Sequence, residues 1–119
     1  MAGIVVYEED PQMRNLLAEW LAADGYAVHP ARPGQRVAAA ADLVICSVTM
    51  PRRAGAGLLR EIRRAHAGVP LIAMSAQFRT GLAPLGPAAR ALGVERVIAK
   101  PATRGELLDA VHAMIGIPG

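Results

Sequence analysis

Leu43-Val44-Ile45-Cys46-Ser47-Val48-Thr49-Met50-Pro51 is an apolar run that ends on a small hydroxyl residue and turns at a proline. The run is short, rich in β-branched residues and continuous instead of alternating. That is the pattern of a strand covered on both faces. Four runs of the same kind flank it: Ile4-Val5-Val6-Tyr7, Tyr26-Ala27-Val28, Leu71-Ile72-Ala73-Met74 and Val97-Ile98-Ala99. Helical segments separate them. Asp10 and Pro11 supply an N-cap and a first-turn proline, and Met13, Leu16, Leu17, Trp20 and Leu21 then form an apolar stripe closed by Gly25. Leu58, Leu59 and Ile62 mark the buried stripe of a third-position helix. Thr103-Arg104-Gly105-Glu106 is a capping box that opens a last helix with Leu107, Leu108, Val111 and Ile115 inward. Residues 35–41 read as a short alanine-rich turn or two, and residues 78–92 as a Gly/Pro loop that becomes helical after Pro87.

Alternation of strand and helix with short connections implies a parallel sheet covered on both sides, joined by right-handed crossovers. Five such units, with about five helices, fill 119 residues as one domain over 1–119. The expected fold class is α/β, a flavodoxin-like (βα)5 domain of strand order 2-1-3-4-5. In such sheets a site lies outside the carboxyl ends of the strands, here residues 8–10, 47–51, 75–77 and 99–101.

Composition narrows the function. The apolar content of 53% excludes a disordered chain. No apolar run is long enough to cross a bilayer and no basic, apolar leader opens the sequence, so a cytoplasmic location without a membrane role is expected. The charge of +3 is mild, and four aromatic residues make no stacking platform, so nucleic acid is not the expected partner. Cys46 lies in an apolar run and reads as a buried core thiol. His29, His66 and His112 show no ligand spacing and read as surface or edge residues. Arg52, Arg53, Arg60, Arg63 and Arg64 form a basic cluster that reads as a solvated helix face, with Arg52 and Arg53 placed to engage an acidic partner or an anion. Twelve of the thirteen basic residues are arginine, and the single lysine is Lys100. A lone lysine suggests a role needing a compact ammonium.

The strand ends carry Glu8-Glu9-Asp10, Ser47-Val48-Thr49-Met50-Pro51, Ser75-Ala76 and Lys100-Pro101. In order and approximate spacing these resemble the receiver domains of two-component response regulators, of the chemotaxis-receiver kind. That family has an acidic pair, Asp-x-x-Met-Pro, a Ser/Thr before a small residue, and Lys-Pro. The resemblance implies a carboxylate that accepts a phosphoryl group beside a divalent metal, with a lysine and a hydroxyl contacting the phosphoryl oxygens. Carried over by position, Glu8 and Glu9 match the acidic pair, Thr49 offers the metal-binding backbone carbonyl, Ser75 matches the hydroxyl and Lys100 the lysine. Two departures matter. Ser47 stands at the acceptor position, and a hydroxyl needs a general base to act as a nucleophile. Val97 stands where the family's switch aromatic usually sits. Residues 29–42 are also several residues shorter than the family's second helix region, and the stretch from Ser75 to Lys100 is somewhat longer.

The resemblance with these departures implies a bacterial pseudo-receiver, a phosphorylation-independent interaction module in two-component signalling and not an enzyme. Glu8, Glu9 and Thr49 are then a vestigial metal set, with no cofactor and Mg²⁺ at most weakly held. Expected partners are a histidine kinase or a downstream signalling protein, with a homodimer left open. Lys100 is expected to pair with one of the two glutamates, Glu9 foremost, with Ser47 hydrogen-bonded nearby. Two alternatives stand beside this reading. One is a receiver still driven by a phosphorelay through a non-standard site. The other is a small flavodoxin-like enzyme or cofactor binder, against which the chain shows no Gly-x-Ser-x-Gly elbow, no histidine placed as a base and no phosphate-cradling glycine loop.

Overall fold

A computed structural model of the chain describes residues 2–35, 37, 40–48, 54–78 and 86–117. The elements run β1 (Gly3–Tyr7), α1 (Pro11–Ala23), β2 (Ala27–Ala31), β3 (Leu43–Ser47), α2 (Ala54–Ala65), β4 (Leu71–Ser75), α3 (Pro87–Leu92), β5 (Arg96–Ala99) and α4 (Arg104–Ile115). The five strands form one parallel sheet of order β2-β1-β3-β4-β5. The flavodoxin-like order, taken from known folds of this type and not fixed by the alternation, is the order found.

Each interior strand sends alternate side chains to opposite faces, which explains its continuous apolar sequence. On one face, Leu17 and Leu21 of α1 with Leu107 and Val111 of α4 pack on Ile4, Val6, Ile45, Ile72 and Met74. On the other, Leu59 and Ile62 of α2 with Ala89 of α3 pack on Val5, Tyr7, Val44, Cys46, Ala73 and Val97. Burying a leucine- or isoleucine-sized side chain contributes about 1.5–3 kcal/mol, so these two layers hold the sheet between them.

The local signals act as read at both ends of the chain. The Asp10 carboxylate accepts from Gln12 N–H at 3.0 Å and Pro11 sits in the first turn of α1. Thr103 and Glu106 exchange the two hydrogen bonds of a capping box, each 3.1 Å. α3 begins at Pro87, and residues 79–85 of the stretch read as a Gly/Pro loop lie outside the described set.

Three expectations need correction. Four helices are formed among the described residues, where about five were expected, and the stretch 35–41 that would supply another lies partly outside the described set. Between β2 and β3 these residues make a turn at 33–34 and no helix, with 36, 38 and 39 outside the described set. Leu16, assigned to the inward stripe, is 36% exposed. The sheet meets α1 along Leu17 and Leu21, and successive helical residues are about 100° apart, so Leu16 turns away. His66 is buried rather than at the surface. β2 is an edge strand and also runs on through His29 and Pro30. Ala27 N–H donates to Ala2 O and Glu8 N–H to Ala31 O, so odd-numbered residues of β2 face β1. Pro30 therefore presents its missing N–H to the open side, where it removes no ladder bond.

Candidate functional site

The carboxyl ends of β1, β3 and β5 open into a cleft of about 310 Å³ lined by Glu8, Glu9, Asp10, Ser47, Val48, Ala76, Gln77 and Lys100. The fold thus gathers Glu8, Glu9, Ser47 and Lys100 from positions up to 92 residues apart. Ser75 is fully buried at the end of β4, and its Oγ accepts from Gln77 N–H at 3.1 Å. Thr49 falls outside the described residues, as do Arg52 and Arg53. Val97 is buried in β5 on the α2–α3 side of the sheet, paired in register with Ala73.

Lys100 Nζ donates to Glu8 Oε1 at 2.7 Å. The partner is Glu8 and not Glu9, and backbone pairing gives the reason. Glu8 N–H continues the β1–β2 ladder by one residue, to Ala31 O at 3.0 Å, which holds Glu8 at only 4% exposure. Glu9 lies past the ladder and is exposed. Lys100 N–H likewise extends the β4–β5 ladder, to Ser75 O at 3.0 Å. The second oxygen of Glu8 accepts from Asp10 N–H at 3.2 Å, and Arg14 Nη1 donates to Glu8 O at 2.9 Å. Every strong polar group of Glu8 is therefore engaged. The Lys100–Pro101 peptide bond is cis.

Ser47 is 8% exposed, and its hydroxyl makes no hydrogen bond to another described residue, while Thr49 and the four residues after it lie outside that set. The neighbouring Cys46 is sealed in the core. Burial pushes its thiol up to about 12, the Glu8 charge adds to the rise and the Lys100 charge opposes it. A thiol so placed packs as a small apolar group.

Two polar pairs escape a reading of the sequence. Tyr7 Oη and His66 Nε2 lie 2.8 Å apart, joining the end of β1 to the residue after α2. Burial, then the nearby Cys46, raises the Tyr7 phenol, and burial lowers the His66 imidazole. His112 Nε2 lies 2.7 Å from Asp24 Oδ2, tying α4 to the end of α1. Neither pair has a short-range sequence signal, because the partners are 59 and 88 positions apart.

Among the described residues no three His, Cys, Asp or Glu side chains converge as metal ligands. Nor is any helix among them long and apolar enough to cross a membrane.

Comparison with known proteins agrees with this architecture. Residues 4–112 match the family model of the response regulator receiver domain. The chain is 29% identical over 119 residues to the transcriptional regulatory protein CpxR of Klebsiella pneumoniae, covering 97% of this chain and 50% of that protein. It spans about half the length of that relative. Among solved structures, the chemotaxis response regulator CheY4 of Vibrio cholerae superposes with a TM-score of 0.77 at 20% identity, covering 97% of this chain and 99% of the other. A crystal structure of the histidine kinase ThkA in complex with the response regulator TrrA gives a TM-score of 0.74 at 24% identity, covering 97% and 99%. With this fold, this cleft and a family match over nearly its whole length, the chain belongs to the response regulator receiver domains of two-component signalling.

Proposed function

We propose that this receiver is a pseudo-receiver, an interaction module that works without phosphoryl transfer at Ser47. The observation that carries the reading is the cleft itself: Lys100 is closed onto Glu8 at 2.7 Å, beside a serine whose hydroxyl makes no hydrogen bond to a base among the described residues. A serine attacks phosphorus only when a neighbouring group takes its proton. No histidine lines the cleft, and His66 is committed to Tyr7. Both oxygens of Glu8 are already engaged, by the Lys100 ammonium and by Asp10 N–H. A divalent cation would have to displace Lys100, leaving Glu9 and Asp10 as the accessible carboxylates. With Glu8 held by Lys100, Mg²⁺ is expected to be bound at most weakly, and no cofactor is assigned.

On this reading the chain is not an enzyme. It signals by presenting a fixed surface to a protein partner, a histidine kinase or a downstream regulator. Occurrence of the same fold in a kinase–regulator complex supports the class of partner.

The test is intact mass after incubation with acetyl phosphate and Mg²⁺. The mass of the native chain is expected to stay unchanged. Ser47→Asp, which restores a carboxylate, is expected to gain a hydrolysable phosphoryl group, at a lower level than in receivers with an aspartate pair. A stoichiometric phosphate adduct on the native chain would overturn the proposal.

A further inference from the structure

Charge is segregated along the chain. Residues 8–29 hold five carboxylates and one arginine, whereas residues 52–96 hold eight arginines and two carboxylates. Of these groups, Glu19 is exposed on α1, which covers one face of the sheet, and Arg60 and Arg64 are exposed on α2, which covers the other.

Each side also has an apolar feature. On α1, Leu16 is one of two large hydrophobic residues exposed among the described residues. Glu19, three positions on, shares its ridge and is exposed as well. On the opposite face, a groove of about 620 Å³ lies between Gly34, Gln35 and Val37 on one side and α2 on the other. Tyr7, Val37, Leu58, Ile62 and Ala65 supply its apolar surface, and Arg64 and Glu61 its rim. Arg60 and Arg64 are exposed one turn apart, with no ion pair among the described residues, while Arg63 is neutralised by Glu95 at 2.9 Å. An exposed leucine flanked by carboxylate faces away from the sheet on one side, and an apolar groove rimmed by arginine opens on the other.

We propose that these two surfaces bind each other in different copies of the chain. α1 of one molecule seats in the groove of a second, Leu16 entering against Leu58 and Val37 and Glu19 meeting Arg64. Glu61 on the same rim repels an incoming carboxylate and so steers it toward the arginines, which sets the register of the contact. The two patches are different, so the contact is head-to-tail and builds concentration-dependent rings or open chains. This deepens the interaction-module reading by naming a second copy of the chain as the partner, and it rests on that reading only for its role in signalling.

The test is sedimentation velocity of the native chain over a range of concentrations. The sedimentation coefficient is expected to rise with concentration at low salt and to fall to the monomer value at high salt, where exposed charges are screened. Glu19→Arg and Arg64→Glu are each expected to weaken association at least about tenfold, with unchanged circular dichroism. Mixed in equal amounts, these two variants should regain it. The arginine introduced on α1 of one then faces the glutamate introduced on the groove rim of the other, while each like-with-like contact stays repulsive. Leu16→Asn tests the apolar half of the contact and should also weaken association. A chain that is monomeric at every concentration in low salt overturns the proposal. So does association that neither charge reversal affects, or a mixture that fails to recover. The outcomes stay separable from those of the phosphorylation test. A monomer that accepts no phosphate removes only this surface, and a phosphate-accepting chain that still associates through it removes only the pseudo-receiver reading.

Discussion

Glu8 and Glu9 are identical and adjacent, yet one is locked to Lys100 and the other stands in solvent. The difference is one residue of β ladder. Loss of Lys100 would strand a carboxylate that is 5% exposed, whereas loss of a partner for Glu9 would strand nothing. Lys100→Met is therefore expected to destabilise the fold by about 2 kcal/mol or more. That is less than the roughly 3–5 kcal/mol of a fully buried pair, since the Lys100 side chain keeps 21% exposure. Denaturant melts of Lys100→Met, Glu8→Gln and the double variant should show a coupling above about 1 kcal/mol, and the same cycle with Glu9→Gln a coupling near zero. Equal couplings for both glutamates would mean that the ammonium is shared. The sequence singles out Lys100 through the skew of its basic residues and places it near an acidic pair. It leaves open which acid it meets, because that depends on how far β1 pairs with β2. Ser75 illustrates the same limit. Its position at a strand end is legible, but the turn that directs its hydroxyl to Gln77 N–H is not.

Helix caps are the most legible elements, because their chemistry is confined to four consecutive residues. The Thr103–Glu106 box satisfies two backbone N–H groups at the start of α4, whose Leu107 and Val111 then reach the core. Thr103→Ala is expected to cost about 1 kcal/mol and to lower Tm by about 4 °C in a thermal melt, a drop that Thr103→Ser should mostly avoid. Apolar runs locate all five strands, but the run at residues 26–28 stops short of the actual end of β2 at Ala31. An edge strand is less fully covered than a central one and needs no continuous apolar sequence, so the exposed His29 and Pro30 hide it. α1 shows the opposite error. Its five apolar residues cover too wide an arc for one sheet contact, and Leu16 is the residue left over.

For the molecule as a whole, acid stability follows from two groups whose protons bind more weakly in the fold than in the unfolded chain. Burial holds the His66 imidazole below its usual 6.5, so as pH falls the unfolded chain takes up this proton first. Stability from this source is complete above about pH 6.5 and declines below it. For Glu95, burial favours the neutral acid, but hydrogen bonds from Arg63 and Leu71 N–H together with the Arg63 charge prevail, and its carboxyl lies below the usual 4.5. Its contribution is present above about pH 4.5 and lost on further acidification. The side chain is 40% exposed, so that share is small. Urea midpoints measured from neutral pH down to about pH 4 should fall first near the histidine range, and His66→Gln should flatten that limb. A midpoint constant from about pH 7 to 5 in the native chain would remove His66 as the cause. At the margin of the sheet, Pro30 has a further consequence. A foreign β-strand laid along β2 would find an imide nitrogen where it needs a donor, and a rigid ring in its path. Growth of the sheet into fibrils or runaway intermolecular strand pairing is thus blocked on that flank, and whatever copies meet there must do so through side chains.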